Sequence, residues 1–154
     1  MAAFGYQLLL DLYDCKAGAS DDLALCYDFL IAVVRRLKME QQSPPFIFHS
    51  DGEKFPDKAG LSGWIPLIES GIQIHTLSPK HFISVDIYSC RQFDPDEVRP
   101  LVQEFFRPKR VDEQFLERGV DYYTPGCAIP AARQRRTVSR ADATATPVTV
   151  GSAR

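Results

Sequence analysis

The sequence predicts an α+β two-layer sandwich, a mainly antiparallel sheet with two helices on one of its faces. Three observations predict it. Around Ile72-Gln73-Ile74 and Ile83-Ser84-Val85-Asp86-Ile87, apolar and polar positions alternate with the period of a half-buried strand. Between Leu23 and Leu37, and again between Val98 and Phe106, apolar residues recur at helical spacing. The segments run strand, helix, several strands, helix, strand, and the short loops favour antiparallel pairing.

The first strand spans Phe4 to Tyr13 and alternates around Leu8, Leu10 and Leu12. Ser20 followed by Asp21 and Asp22 reads as a helix start, a capping hydroxyl and then acids facing the positive end of the dipole. Leu23, Cys26, Leu30, Val33, Val34 and Leu37 carry that helix to about Lys38, and Arg35, Arg36 and Lys38 suit its negative end. Pro44 and Pro45 break the chain before a short strand at Phe46 to His49. Asp51 to Gly60, with two glycines and a proline, forms a loop whose acids are solvated. Strands follow at Trp64 to Glu69, Gly71 to Leu77 and Phe82 to Ser89.

Asp94-Pro95-Asp96-Glu97 has capping-box spacing, with proline at the first helical position. Val98, Leu101, Val102, Phe105 and Phe106 form the buried stripe of this second helix, and Lys109 to Leu116 makes a last strand. Trp64 and the Phe105-Phe106 pair are expected in the core. Helices on one face leave the other face of the sheet open, and a second copy of the chain could cover it.

The 154 residues are 45% hydrophobic and 11% aromatic, enough for one globular domain, placed at residues 1–123. Beyond Tyr123 the chain turns to Ala, Thr, Arg and Pro without periodicity, so residues 124–154 are expected to form a disordered basic tail. That tail holds five arginines against Asp142 alone, so within a net charge of −2 the domain carries −6. An acidic body suits a small or cationic substrate and gives no basis for nucleic-acid binding. No run approaches the ~20 apolar residues of a membrane span, and no signal peptide is evident. Cys15, Cys26, Cys90 and Cys127 have neither the pairing of a zinc site nor the density of a disulfide scaffold. Free thiols, a cytoplasmic location and no metal are expected.

Chemistry concentrates between Leu61 and Cys90, in LSGWIPLIESGIQIHTLSPKHFISVDIYSC. Ser62 lies eight residues before Ser70, His75 five after it and Cys90 twenty after it. The imidazole of His75 can accept and pass on a proton. On its alternating strand it shares a face with Gln73 and Leu77. This constellation, with the Glu69-Ser70 junction and the Val85-Asp86 lead-in to Cys90, resembles the self-processing bacterial and archaeal S-adenosylmethionine decarboxylases. A weaker likeness extends from FGYQLLLDLYDC to KRVDEQFLERG, so the resemblance covers roughly Phe4 to Gly119.

The resemblance implies a self-made cofactor. The Ser70 hydroxyl attacks the Glu69 carbonyl and turns the amide into an ester, and removal of the α-proton lets the ester eliminate. Cleavage between Glu69 and Ser70 then leaves residues 1–69 as one chain and a pyruvoyl group, made from Ser70, at the head of the other. By resemblance His75 is the processing base, Ser62 holds the rearrangement intermediate, and Cys90 donates a proton in turnover. The ketone takes up a substrate amine as a Schiff base and accepts electrons as carbon dioxide leaves. The resemblance also implies a symmetric homodimer with sites near the interface. His49 and His81 match nothing in the motif and are read as structural.

Three departures bear on substrate. The family reads His-Thr-Trp-Pro-Glu after the processing histidine, and that glutamate grips the ribose of the substrate; here Pro79 stands in its place. The phenylalanine that stacks on adenine survives as Phe55, but one residue is inserted before Ser62, and the first strand's usual glutamate is Asp11. Intact cofactor machinery with a weakened nucleoside grip leads to the expectation of a changed substrate, L-arginine or L-ornithine, decarboxylated in polyamine biosynthesis. Phe55, Asp11 and Glu69 are the substrate-binding candidates, and Asp11, Asp51, Glu53 or Asp57 could meet the distal cation. The alternatives are an S-adenosylmethionine decarboxylase, supplying the aminopropyl donor for spermidine, and a non-catalytic regulatory homologue. The intact Ser70, His75 and Cys90 argue against the last.

Overall fold

Six strands and two helices make up residues 3–122, the part of the chain that the computed structural model describes. The strands are β1 (Gly5–Tyr13), β2 (Phe46–Ser50), β3 (Gly60–Leu67), β4 (Ser70–Leu77), β5 (Phe82–Ser89) and β6 (Arg110–Arg118). They form one sheet in the order β2-β3-β4-β5-β1-β6, and every neighbouring pair is antiparallel. The helices are α1 (Leu23–Arg36) and α2 (Arg99–Phe105).

Strand alternation sorts the side chains onto two faces. Leu8, Leu10 and Leu12 of β1, Ile72 and Ile74 of β4, and Ile83, Val85 and Ile87 of β5 are all buried. They form one cluster with Cys26, Phe29, Leu30 and Val33 of α1 and with Leu101, Val102 and Phe106 at α2. Each such side chain contributes about 1.5–3 kcal/mol on leaving water, which holds both helices to this one face. The other face carries Gln73, His75, Asp86, Asp11 and Trp64, and among the described residues no helix lies over it.

Several expectations are corrected in detail. Asp22, not Ser20, caps α1: its side chain accepts from the Leu25 N–H at 2.9 Å, and its extended backbone is what a cap needs. Ser20 is instead buried, and its carbonyl accepts from Thr76 Oγ1 (2.5 Å) and Ser78 Oγ (3.0 Å). β3 begins at Gly60 rather than Trp64, where φ of +152° and a Cβ position 2.2 Å from the Thr76 carbonyl oxygen admit only glycine. Trp64 is not a core residue. Its parity places it with Ser62 on the open face, 48% exposed, with the indole lying across Gly71.

Asp94 does cap a turn, accepting from the Asp96 N–H at 2.9 Å, but Pro95–Glu97 is a single 3-10 turn and α2 starts at Arg99. Glu97 gives its N–H to the Asp94 carbonyl rather than completing a capping box. The last strand runs two residues past Leu116, to Arg118, because its register along β1 continues to Gly5. No helix among the described residues is long and apolar enough to cross a membrane. The tail at 124–154, with Cys127, lies outside them.

Candidate active site

The Glu69–Ser70 junction sits in the tight turn between β3 and β4. The turn consists of Ile68 and Glu69, and Leu67 pairs with Ser70 across it. Two-residue hairpins prefer positive φ within the turn, because that matches the twist of the strands. Here the positive value falls on Ser70 instead, with φ of +142°. An L residue held there costs about 1–3 kcal/mol, and such strain collects where a site needs it.

The carbonyl of the junction is engaged. The Cys90 N–H donates to the Glu69 carbonyl oxygen at 2.8 Å. β4–β5 pairing sets this up by placing Ser70 opposite Ser89, so Cys90 is the next residue along. The Cys90 side chain is exposed. The Glu69 carboxylate is tied into the chain, accepting from the Glu40 N–H at 3.1 Å and lying 3.7 Å from Arg91 Nη1.

A second cluster lies toward the other end of β4. Strand register aligns Phe48, Ser62, His75, Ser84, Asp11 and Asp112 in one row across the open face, from β2 to β6. Ser62 Oγ and His75 Nδ1 are 3.0 Å apart. A pocket of about 320 Å³ opens beside them, lined by Phe46, Phe48, Trp64, Gln73 and the Ser62–His75 pair. Phe55 stands in the loop leading into β3 at this end, 46% exposed, with Lys54 Nζ 5.3 Å from its ring centre. Next to the row, burial and then the charge of Asp11 push the Asp86 carboxyl above the usual carboxylate range.

The predicted residues therefore fall into two groups. Glu69, Ser70 and Cys90 are together; Ser62, His75, Phe55 and Asp11 belong to the other end. Five positions of extended strand separate Ser70 from His75, about 17 Å at 3.3 Å per residue. A general base must come within about 3 Å of its proton, and within one protomer this separation is well beyond that.

Sequence reasoning missed Arg91 and noted Gln73 and Asp86 only as a face neighbour and a motif position. It also gave Asp21 only a dipole role, whereas Asp21 Oδ1 accepts from Ser78 Oγ at 3.2 Å and puts a carboxylate beside the turn that holds Pro79. Cys15 and Cys26 are buried thiols whose pKa values burial raises to about 11 and about 12, which keeps them unreactive. Among the described residues no group of three or more His, Cys, Asp or Glu side chains is placed to hold a metal.

The family model of S-adenosylmethionine decarboxylase matches residues 6–119. The chain belongs to that family. It is 26% identical over 121 residues to the S-adenosylmethionine decarboxylase proenzyme of Methanococcus maripaludis strain C5, covering 78% of this chain and 93% of that one. It is 28% identical over 116 residues to the proenzyme of the same name from Clostridium botulinum strain Hall, covering 75% and 94%. The crystal structure of the adenosylmethionine decarboxylase of Aquifex aeolicus superposes with a TM-score of 0.64 at 26% identity, over 78% of this chain and 94% of that one.

As a member of the S-adenosylmethionine decarboxylase family the chain is a carboxy-lyase that works through a self-generated pyruvoyl group. Its residues fit such a group: a serine on a strained backbone, a hydrogen-bonded carbonyl before it and a cysteine alongside. The same findings overturn the expected switch to L-arginine or L-ornithine, since these relatives are S-adenosylmethionine decarboxylases over nearly their whole length. Pro79, one of the departures that motivated it, falls in the 3-10 turn Ser78–Lys80, where Pro79 and Lys80 are exposed.

Proposed function

We propose that this chain is a proenzyme that cleaves itself between Glu69 and Ser70 and then decarboxylates S-adenosylmethionine. The observation that carries the reading is the Cys90 N–H on the carbonyl of a junction whose serine has φ of +142°. That hydrogen bond draws charge onto the Glu69 oxygen and stabilises it as Ser70 Oγ adds to the carbon. The C–O bond forms, the C–N bond breaks, and the Ser70 nitrogen leaves as an amine. Opening the amide releases the strain at Ser70, which favours the ester.

Elimination follows. A base removes the Ser70 α-proton, the Cβ–Oγ bond breaks, and Glu69 departs as a carboxylate. The dehydroalanine left at residue 70 tautomerises to an imine, which water hydrolyses to the pyruvoyl ketone with release of ammonia. His75 suits the proton removal when its Nδ1–H donates to Ser62 Oγ, because Nε2 then offers its lone pair. Since about 17 Å of strand separates His75 from Ser70 in one protomer, the base comes from a second copy. The working unit is a homodimer in which two open sheet faces pack, one protomer's Ser62–His75 pair against the other's Glu69–Ser70 junction. Phe46, Phe48 and Trp64, 50%, 67% and 48% exposed, give that face apolar area to bury.

The pyruvoyl group supplies the electron sink for loss of carbon dioxide, and Cys90 returns the proton. Asp11 and Asp86 make the open face negative, which suits a cationic sulfonium substrate. Phe55 offers a ring to the adenine at the His75 end. The product serves as aminopropyl donor in polyamine biosynthesis, and the free thiols Cys15, Cys26 and Cys90 suit a reducing cytoplasm. Denaturing mass spectrometry of purified protein tests cleavage: two chains, 1–69 and 70–154, are expected, the second trapped by borohydride. Carbon dioxide release is expected from S-adenosylmethionine; a single uncut chain, or no turnover of that substrate, refutes the reading.

A further inference from the structure

We propose that Arg91 is the positioning residue of self-cleavage, clamping the Glu69–Ser70 turn to the end of α1. The inference rests on the function proposed above and adds a residue to it. Arg91 Nη2 donates to the carbonyl oxygens of Leu37 (2.8 Å) and Lys38 (2.6 Å), and Nη1 lies 3.7 Å from Glu69 Oε1. Carbonyls past a helix end lack partners within the helix and carry partial negative charge, so a guanidinium is well placed on them. The fork geometry lets one arm serve the helix while the other serves the carboxylate.

Other contacts tighten the same corner. Glu69 Oε2 accepts from the Glu40 N–H at 3.1 Å, and the Ile68 N–H donates to the Glu40 carbonyl at 2.9 Å. On the β5 side, the buried Ser89 Oγ accepts from the Arg91 N–H (3.0 Å) and donates to the Arg91 carbonyl (2.7 Å). Cys90 lies between these two residues. Arg91 thus grips both components of the scissile contact: through its backbone it fixes the turn that aims the Cys90 N–H, and through its side chain it holds the residue whose carbonyl receives it. A misplacement of a fraction of an ångström at such a carbonyl lowers the rate of attack without unfolding anything. The ion pair itself is about half exposed on the Arg91 side, and exposed pairs add little to stability.

The test follows freshly made precursor by denaturing mass spectrometry in wild type, Arg91→Met and Arg91→Lys, with melting and circular dichroism in a Ser70→Ala background. Arg91→Met is expected to slow cleavage at least tenfold and Arg91→Lys to restore part of the rate. The uncleavable Ser70→Ala protein is expected to keep its spectrum and its midpoint within about 4 °C when Met replaces Arg91. Cleavage of Arg91→Met at the wild-type rate overturns the inference, and so does a collapse of the fold in the Ser70→Ala background. An uncleaved wild type overturns instead the reading of Ser70 on which the inference rests.

Discussion

Ser70 and His75 share β4 yet stand about 17 Å apart, at opposite ends of the site. If His75 acts on Ser70 of a second copy, two inactive variants can complement. Ser70→Ala and His75→Ala are each expected to remain uncut when made alone. Made together, the His75→Ala chains paired with Ser70→Ala chains should be cleaved, visible as fragments that carry the alanine at 75. No fragments in the mixture would show that the two residues act within one chain.

The group that holds the Glu69 carbonyl is the backbone of Cys90, not its thiol. Cys90→Ala is therefore expected to keep cleavage within about tenfold of wild type, while turnover falls by about 10²–10⁴, the usual worth of a placed proton donor. Chain separation and carbon dioxide release, measured on one preparation, separate the two effects. Full turnover by cleaved Cys90→Ala would remove Cys90 from the reaction.

Strain at Ser70 has a thermodynamic signature. Glycine tolerates φ of +142° and alanine does not, so Ser70→Gly should be more stable than Ser70→Ala by about 1 kcal/mol after glycine's own entropy cost. Both are uncleavable, which makes urea midpoints comparable. Equal midpoints would mean that the junction is relaxed.

The raised Asp86 pKa makes a prediction with a definite sign. A carboxyl whose folded pKa lies above its unfolded value binds its proton more tightly in the fold. Its contribution is fully present below the unfolded value and is lost as pH rises through the folded one. Asp86→Asn should then raise the melting midpoint of the Ser70→Ala protein at pH 7, with the gain shrinking toward pH 3. A gain that is constant with pH would assign the effect to packing.

Thr76 is buried, and its Oγ1 accepts from the Leu61 N–H (2.7 Å) while donating to the Ser20 carbonyl (2.5 Å). Thr76→Val keeps the shape but strands the Leu61 N–H and leaves the Ser20 carbonyl to Ser78 Oγ alone. A loss of about 1–3 kcal/mol in urea unfolding is expected.

Much of this protein was legible residue by residue. The alternation at Ile83, Val85 and Ile87 and the stripe from Leu23 to Leu37 act through neighbours a few positions away, so strands, helices and the core-facing set followed from them. The Ser62, Ser70, His75 and Cys90 spacing pointed to the family for the same reason: it is written along the chain. Trp64 was misread because an aromatic residue in a strand looks like core until the parity of its partners is known.

What only the tertiary structure decided is pairing across distance. Register set Ser62 on His75 and Cys90 on Glu69, put Asp11 in the histidine's row, and brought Arg91 to helix α1. It also divided four neighbouring motif residues into two clusters. Sequence spacing counts residues, whereas an extended strand adds about 3.3 Å for each of them, so closeness along the chain became separation in space.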